Sequence, residues 1–369
     1  MKFTTTSAAL NRAALRTVQT LDRSSDSFSQ ILVEADNGRV SLSATNGRHH
    51  LVYDVEDAKV LKPGCCLIPG VRASALLAKL KGDLTVSLSR NRVAIDAGPA
   101  GKFSLTAGDP KLFPPSPATG DDSQPEMAID GDELHRLLIE VRYAAMSKES
   151  GVGLYGVYLC AEDGVVEVCA TDGVSFSKST GQATGSLTGH TDPLHLDALQ
   201  AVIPALRKEQ VLLRSLSSYW YVSVGPMQLW MGRSSRRFPE YNKLLDSLTW
   251  GHEVSISQAD LSAGLNRTLA MFDAQTPHKT IQLVAEEDSL RLKANSEFGA
   301  SSVSMSGSLT GQATTVNLDA SRLDKALHTL RKSDTITLSL GDKRTPVKLT
   351  APAQSQHLAL VALVVPGGA

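Results

Sequence analysis

The chain is poor in the residues that most often announce chemistry. Of its 369 residues only 4 are cysteine, and aromatics make up 5%. Cys65 and Cys66 are adjacent and cannot easily bridge one another, and neither they nor Cys160 and Cys169 have zinc-site spacing. Cys160 and Cys169 flank the turn Glu162-Asp163-Gly164; a disulfide across that hairpin is open, but buried reduced thiols are the expectation. So few aromatics argue against a stacking platform for single-stranded nucleic acid. A net charge of -1 excludes the strongly basic surface through which conventional nucleic-acid binders release counterions. No apolar run approaches the roughly 18 to 20 residues of a membrane span, and the opening residues lack the apolar core of a signal peptide, so a cytoplasmic location without membrane contact is expected. Walker, GxGxxG and HExxH motifs are absent, and His49 and His50 are neighbours on opposite faces of a probable strand, so no cofactor and no metal are expected.

What the chain does have is a folding composition and a repeat. Hydrophobic residues at 42% and charged residues at 20% are those of a globular protein too long for one ordinary core. Three stretches share one pattern: "MKFTTTSAALNRAALRTVQTL" from Met1, "EMAIDGDELHRLLIEVRYAAM" from Glu126 and "EVSISQADLSAGLNRTLAMF" from Glu253. Each reads as an alternating strand, a capping residue near Ser7, Asp130 or Ser257, and a helix. Leu10, Leu134 and Leu261 hold the same place, separated by 124 and 127 residues. A second strand-to-helix pattern lies midway through each unit, in "CLIPGVRASALLAKL", "LHLDALQAVIPAL" and "VNLDASRLDKALHTL", and period-two strands follow it. The Pro/Gly/Ser/Asp-rich stretch "FPPSPATGDDSQPE" and the shorter "LLDSLTWGHE" mark junctions. The reading is an α+β chain of three repeated domains, residues 1–122, 123–250 and 251–369, each built of two helix-plus-sheet half-units.

Similar units with no distinctive cluster in any of them are poor material for an enzyme, because acid/base or nucleophilic catalysis needs an asymmetric constellation. The densest polar stretch, "EVCATDGVSFSKST" from Glu167, brings Asp172 close to Ser175 and Ser177, and a hydrolytic site can be drawn from them. Thr-Asp-Gly after a strand is also ordinary turn chemistry, with Asp capping and Gly supplying a positive φ, and Asn46-Gly47 stand at the equivalent place. The turn reading is preferred, with Ser175 or Ser177 paired to Asp172 as the hydrolase alternative. The expected helices are modestly basic, carrying Arg12, Arg16, Arg72, Lys79, Arg136, Arg142, Arg207, Lys208, Arg267, Lys325 and Arg331.

Over its whole length the chain resembles the bacterial DNA polymerase III beta subunit, the sliding clamp. The resemblance rests on "MKFT", on "KFSLTA" before "FP", on "EVCATDG", on "RRFPEYNKLL" and on the final "LVVPGGA", in order and at matching spacing. It implies three clamp-like domains that dimerise head to tail into a six-domain ring around double-stranded DNA. The basic helices would line the hole as DNA-facing residues, and the protein would be a processivity factor, not an enzyme. Implied partners are the DNA polymerase III alpha subunit, the clamp loader, other proteins with a clamp-binding motif, and a second copy of the chain. The implied peptide pocket comprises Leu154, Thr171, Gly173, Val174, Ser175 and Phe176; Pro239, Lys243 and Leu244; and Arg322, Arg344, Leu363, Val364, Val365, Pro366 and Gly367. The implied dimer interface sets Phe103 and Leu105 against Ala270, Met271 and Phe272 of the other copy. The family often has His-Arg-Leu where this chain has Val174-Ser175-Phe176, and a Pro-Met-Arg-Leu ending where this chain has Pro366-Gly367-Gly368-Ala369. Those departures leave open an alternative, a clamp-like binding module whose altered pocket serves another partner.

Overall fold

The computed structural model describes residues 1–25, 28–120, 123–146, 156–330, 333–342, 344–354 and 356–362. Leu154, Arg331, Leu363, Val364, Val365, Pro366 and Gly367 lie outside the described residues. Helices α1 (Ser7–Thr17), α2 (Gly70–Leu77), α3 (Gly131–Val141), α4 (Leu196–Val202), α5 (Tyr241–Ser247), α6 (Gln258–Leu269) and α7 (Ala320–Thr329) interrupt a chain that is otherwise mostly strand.

The sequence repeat is a repeat of hydrogen bonds. Strands Lys2–Thr6, Glu126–Asp130 and His252–Ser257 each run straight into a helix, α1, α3 and α6. The cap oxygens are Thr6 Oγ1, Asp130 Oδ1 and Ser257 Oγ, accepting from Ala9, Glu133 and Asp260 N–H at 3.2, 3.0 and 3.3 Å. The first cap is therefore Thr6, one residue before Ser7, because Ser7 already has helical geometry. The first amide of each helix also docks on the loop after the unit's second helix: Ser7 N to Gly82 O, Gly131 N to Glu209 O and Gln258 N to Asp334 O, at 2.8 to 2.9 Å. At Gly131 a Cβ would stand 1.8 Å from the Leu206 carbonyl oxygen, so only glycine permits that approach.

Among the described residues, three antiparallel sheets carry these helices. One has 5 strands, ordered Lys59–Lys62, Lys2–Thr6, Asp83–Ser89, Arg92–Asp96, Lys102–Thr106. The other two have 9 and 11 strands because each continues from one third of the chain into the next. Strand His49–Asp54 pairs with Met227–Gly232, and strand Ser175–Gln182 pairs with His357–Val361. Alternating residues such as Phe3, Val86, Val93 and Ile95 face α1 and α2, where Leu10, Ala14, Ala73 and Leu77 are buried with them. The last third repeats this with Val254, Leu261, Leu265, Leu323 and Leu327. All four cysteines are free: Cys160 faces Glu167 and Cys169 faces Tyr158 across the hairpin, so the thiols are never opposite one another. Among the described residues no helix is long and apolar enough to cross a membrane.

Candidate functional site

The Thr171-Asp172-Gly173 turn is built as its sequence suggests. Thr171 Oγ1 donates to the Ser175 carbonyl at 2.6 Å and accepts from Gly173 N–H at 3.0 Å, and Asp172 Oδ1 accepts from Val174 and Ser175 N–H at 3.0 and 2.7 Å. Thr45, Asn46 and Gly47 make the same set: Thr45 Oγ1 to His49 O at 2.7 Å, Gly47 N to Thr45 Oγ1 at 3.1 Å, and Asn46 Oδ1 accepting from Arg48 and His49 N–H. Gly173 and Gly47 both have positive φ, 86° and 83°. The polar cluster is therefore a repeated structural device.

Something is added at the second turn. Arg322 on α7 donates to Asp172 Oδ2 at 2.5 Å and to Ser175 Oγ at 2.9 Å, tying the turn to the last third. Burial alone would raise the Asp172 carboxyl, but hydrogen bonds from Ser175, Arg322 and Val174 outweigh it and hold the group below the usual carboxylate range. Both serines of the hydrolase alternative are sealed, 4% and 0% exposed. Ser177 Oγ donates to the Glu140 carbonyl and lies 3.0 Å from His357 Nε2, itself buried. A Ser-His pair closed off in this way presents no nucleophile to a substrate.

Beside the turn the surface becomes apolar. Val174 is 44% exposed and Leu244 57% exposed, while Phe176 passes beneath into a cluster with Cys169, Phe238, Tyr241 and Leu360. Phe238 stacks on Tyr158 at 5.2 Å, and Tyr241 lies 5.4 Å from Phe176. Tyr241 Oη donates to Glu167, which also pairs with Lys178. Burial pushes the Cys169 thiol and the Tyr241 hydroxyl well above their ordinary values, so both stay protonated donors. Pro239 is exposed two residues before α5, Lys243 pairs with Glu240 on the surface, and Arg344 is exposed with its N–H on Asp342. Ala362 N donates to Val174 O at 3.0 Å, which sets Ala362 beside the turn. The sequence reading did not pick out the supporting aromatics Tyr158, Phe238 and Tyr241, which come from two segments 80 positions apart.

The candidate DNA-facing cations separate by environment. Arg72, Lys79, Arg142, Arg207, Lys208, Arg267 and Lys325 are exposed. Arg12 is exposed but paired with Glu56, and Arg16 reaches the Pro204 carbonyl at 3.3 Å. Arg136 is held by Glu133 at 2.6 Å and Glu140 at 2.8 Å and also bonds Thr180 O, so its charge is compensated internally. Arg142 and Lys325 share a groove of about 650 Å³ between α3, α4 and α7, with Tyr143, Leu196 and His328.

The candidate interface residues lie on open edges. Lys102–Thr106 ends the 5-stranded sheet, and Phe103 and Leu105 are half-buried on it. Gly299–Thr310 pairs on one side along Gly299–Ser306 and reaches its second partner only from Gly307, which leaves the outer edge of its first half open. Ala270 is exposed and Met271 and Phe272 half-buried after α6, and Ser296 Oγ donates to the Met271 carbonyl. Phe298, 62% exposed, adjoins this edge and was not picked out from the sequence.

No model of a known protein family matches the chain. Over 168 residues it is 32% identical to a beta sliding clamp of Caulobacter vibrioides, a match spanning 43% of this chain and 43% of that relative, so less than half of the relative's length is covered. The DNA polymerase III beta subunit of Thermotoga maritima superposes with a TM-score of 0.90 over 99% of both chains at 19% identity. That of Pseudomonas aeruginosa superposes at 0.89 over 99% and 100% of the two chains at 17% identity. The C. crescentus beta sliding clamp superposes at 0.88 over 99% of both chains at 20% identity. The chain has the fold of these proteins from end to end.

Proposed function

We propose that the protein is a DNA sliding clamp, a non-enzymatic processivity factor that works in the cytoplasm as a head-to-tail homodimer. Three domains, 1–122, 123–250 and 251–369, would make a six-domain ring with two copies. The observation that carries this reading is the pattern of sheet continuation. Within the chain, the strand after the Thr45-Asn46-Gly47 turn pairs with the last long strand of the second third, and the strand after Thr171-Asp172-Gly173 pairs with the last strand of the final third. Among the described residues the rule leaves two strands unused, Lys102–Thr106 and the first half of Gly299–Thr310, and both keep an open edge. Pairing them between two copies satisfies both edges twice and closes a ring. It brings Phe103 and Leu105 toward Ala270, Met271, Phe272 and Phe298 of the second copy.

A ring explains how a chain of net charge -1 serves DNA. Retention by topology has no counterion term, so the exposed cations on the helices need only make the lining mildly favourable to phosphate. The apolar edge around Val174, Leu244 and Phe176, with Thr171, Gly173, Ser175, Pro239, Lys243, Arg322 and Arg344 around it, would receive short peptide motifs of the DNA polymerase III alpha subunit, the clamp loader and other clamp-binding proteins. Leu154 and Leu363, Val364, Val365, Pro366 and Gly367 would complete it.

The test is retention on DNA. Loaded onto closed circular duplex DNA, the protein should stay bound at a salt concentration that strips ordinary binders, and should slide off once the circle is cut. Salt-dependent loss from both forms alike would instead identify a surface binder.

A further inference from the structure

His49 and His195 lie 146 positions apart in sequence, yet their rings meet with centroids 5.3 Å apart and an interplanar angle of 53°. Strand His49–Asp54 of the first third presents one, and the other stands at the entry to α4 in the second. Both are 2% exposed. Asp197, in the first turn of α4, brings Oδ1 to 3.4 Å from His49 Nε2 and 3.7 Å from His195 Nδ1, and the three ligand atoms lie within 4.8 Å of one another. The approach to His49 lacks the alignment of a hydrogen bond, and neither ring nitrogen of this sealed imidazole has a hydrogen-bond partner in the protein. A sealed imidazole without a well-formed hydrogen bond is costly, and the Asp197 carboxylate at 3.4 Å meets it only at ion-pair distance.

We propose that His49, His195 and Asp197 bind a divalent transition-metal cation of the Zn²⁺ class, bracing the first third of the chain against the second. Ligands about 2.0 to 2.1 Å from a tetrahedral ion are about 3.4 Å from each other; the separations of 3.4 and 3.7 Å to Asp197 Oδ1 are close to that, and all three ligand atoms lie within 4.8 Å. Two imidazoles and one carboxylate suit a borderline ion over Mg²⁺ or Ca²⁺, which take oxygen ligands. The Asp197 side chain is 46% exposed, so the fourth position opens to water. Met231 pairs opposite His49 at the strand junction between the two thirds, so the ion would sit where they join. This inference is independent of the clamp reading.

The full chain, stripped with chelator, is titrated with Zn²⁺ by calorimetry and its melting temperature followed. One ion per chain and a raised melting temperature are expected, with no response to Mg²⁺. Asp197→Asn, at a half-exposed position, should melt like the parent in chelator and bind Zn²⁺ at least about tenfold more weakly. A Cys65→Ser, Cys66→Ser double variant should bind like the parent. Co²⁺ added to the unmodified chain gives a readout free of any substitution, a visible band of nitrogen and oxygen ligation. No saturable Zn²⁺ binding, a thiolate charge-transfer band, or affinity unchanged by Asp197→Asn would overturn the proposal.

Discussion

Arg322 and Asp172 are 150 positions apart, and the guanidinium of one closes on the carboxylate of the other at 2.5 Å while also holding Ser175 Oγ. A turn of the second third is thereby fixed by a helix of the last, next to the exposed Val174 and to Phe176, which is buried against Phe238 and Tyr241.

Asp172→Asn should lower stability at pH 7 by about 1–2 kcal/mol, the range for a partly buried, charge-assisted hydrogen-bond set. The native Asp172 carboxyl is held below its unfolded value, so its contribution is complete above about pH 4 and is lost as pH falls through the depressed folded-state value. Denaturant melts of parent and variant should converge below that pH. A gap that stays constant down to pH 2 would show that the carboxylate contributes nothing through its charge.

Asp192 is a second buried anchor. It accepts from Trp220 Nε1 at 3.0 Å and pairs with Arg233 at 2.5 Å, and Arg233 lies over the Trp220 ring at 4.6 Å. Asp192→Ala strands a guanidinium and an indole N–H, and should cost about 3 kcal/mol in urea unfolding. A loss within experimental error would mean that the network relaxes onto Ser215 and Leu216, which Arg233 also bonds.

For the proposed ring, Met271→Asp and Phe298→Asp should each shift the dimer toward monomer in sedimentation at low micromolar concentration. Phe298 is 62% exposed in the single chain, so its replacement should leave the melting temperature of the monomer unchanged. An unaltered sedimentation profile for both would remove this edge from the interface.

A short peptide carrying glutamine, leucine and phenylalanine should bind the surface beside the Asp172 turn, more weakly than it binds a clamp with the common rim residues. Leu244→Asp should reduce that affinity at least about tenfold, because an exposed apolar contact becomes a charge in a desolvated cleft, while stability is retained. Binding that survives Leu244→Asp would place the peptide elsewhere.

Much of this was legible in the sequence because it is local. The caps at Asp130 and Ser257, the alternation through Phe3 and Val254, and the glycines at 47 and 173 each act within a few residues, so spacing and residue type suffice to read them. The turn at Asp172 could be told from a catalytic loop because Asn46-Gly47 repeat its chemistry. Phe238 and Tyr241 gave no such signal: their partners Tyr158 and Phe176 sit on strands that reach them only after folding.

The sequence by itself determined the repeat, the α+β alternation and the positions where helices begin, since propensity, capping and periodicity are properties of neighbouring residues. The tertiary structure alone decided which strand edges are consumed within the chain and which stay open, and it alone brought His49 to His195 and Asp197. Those relationships depend on contacts between residues more than a hundred positions apart, and such contacts leave no period in the text of a single chain.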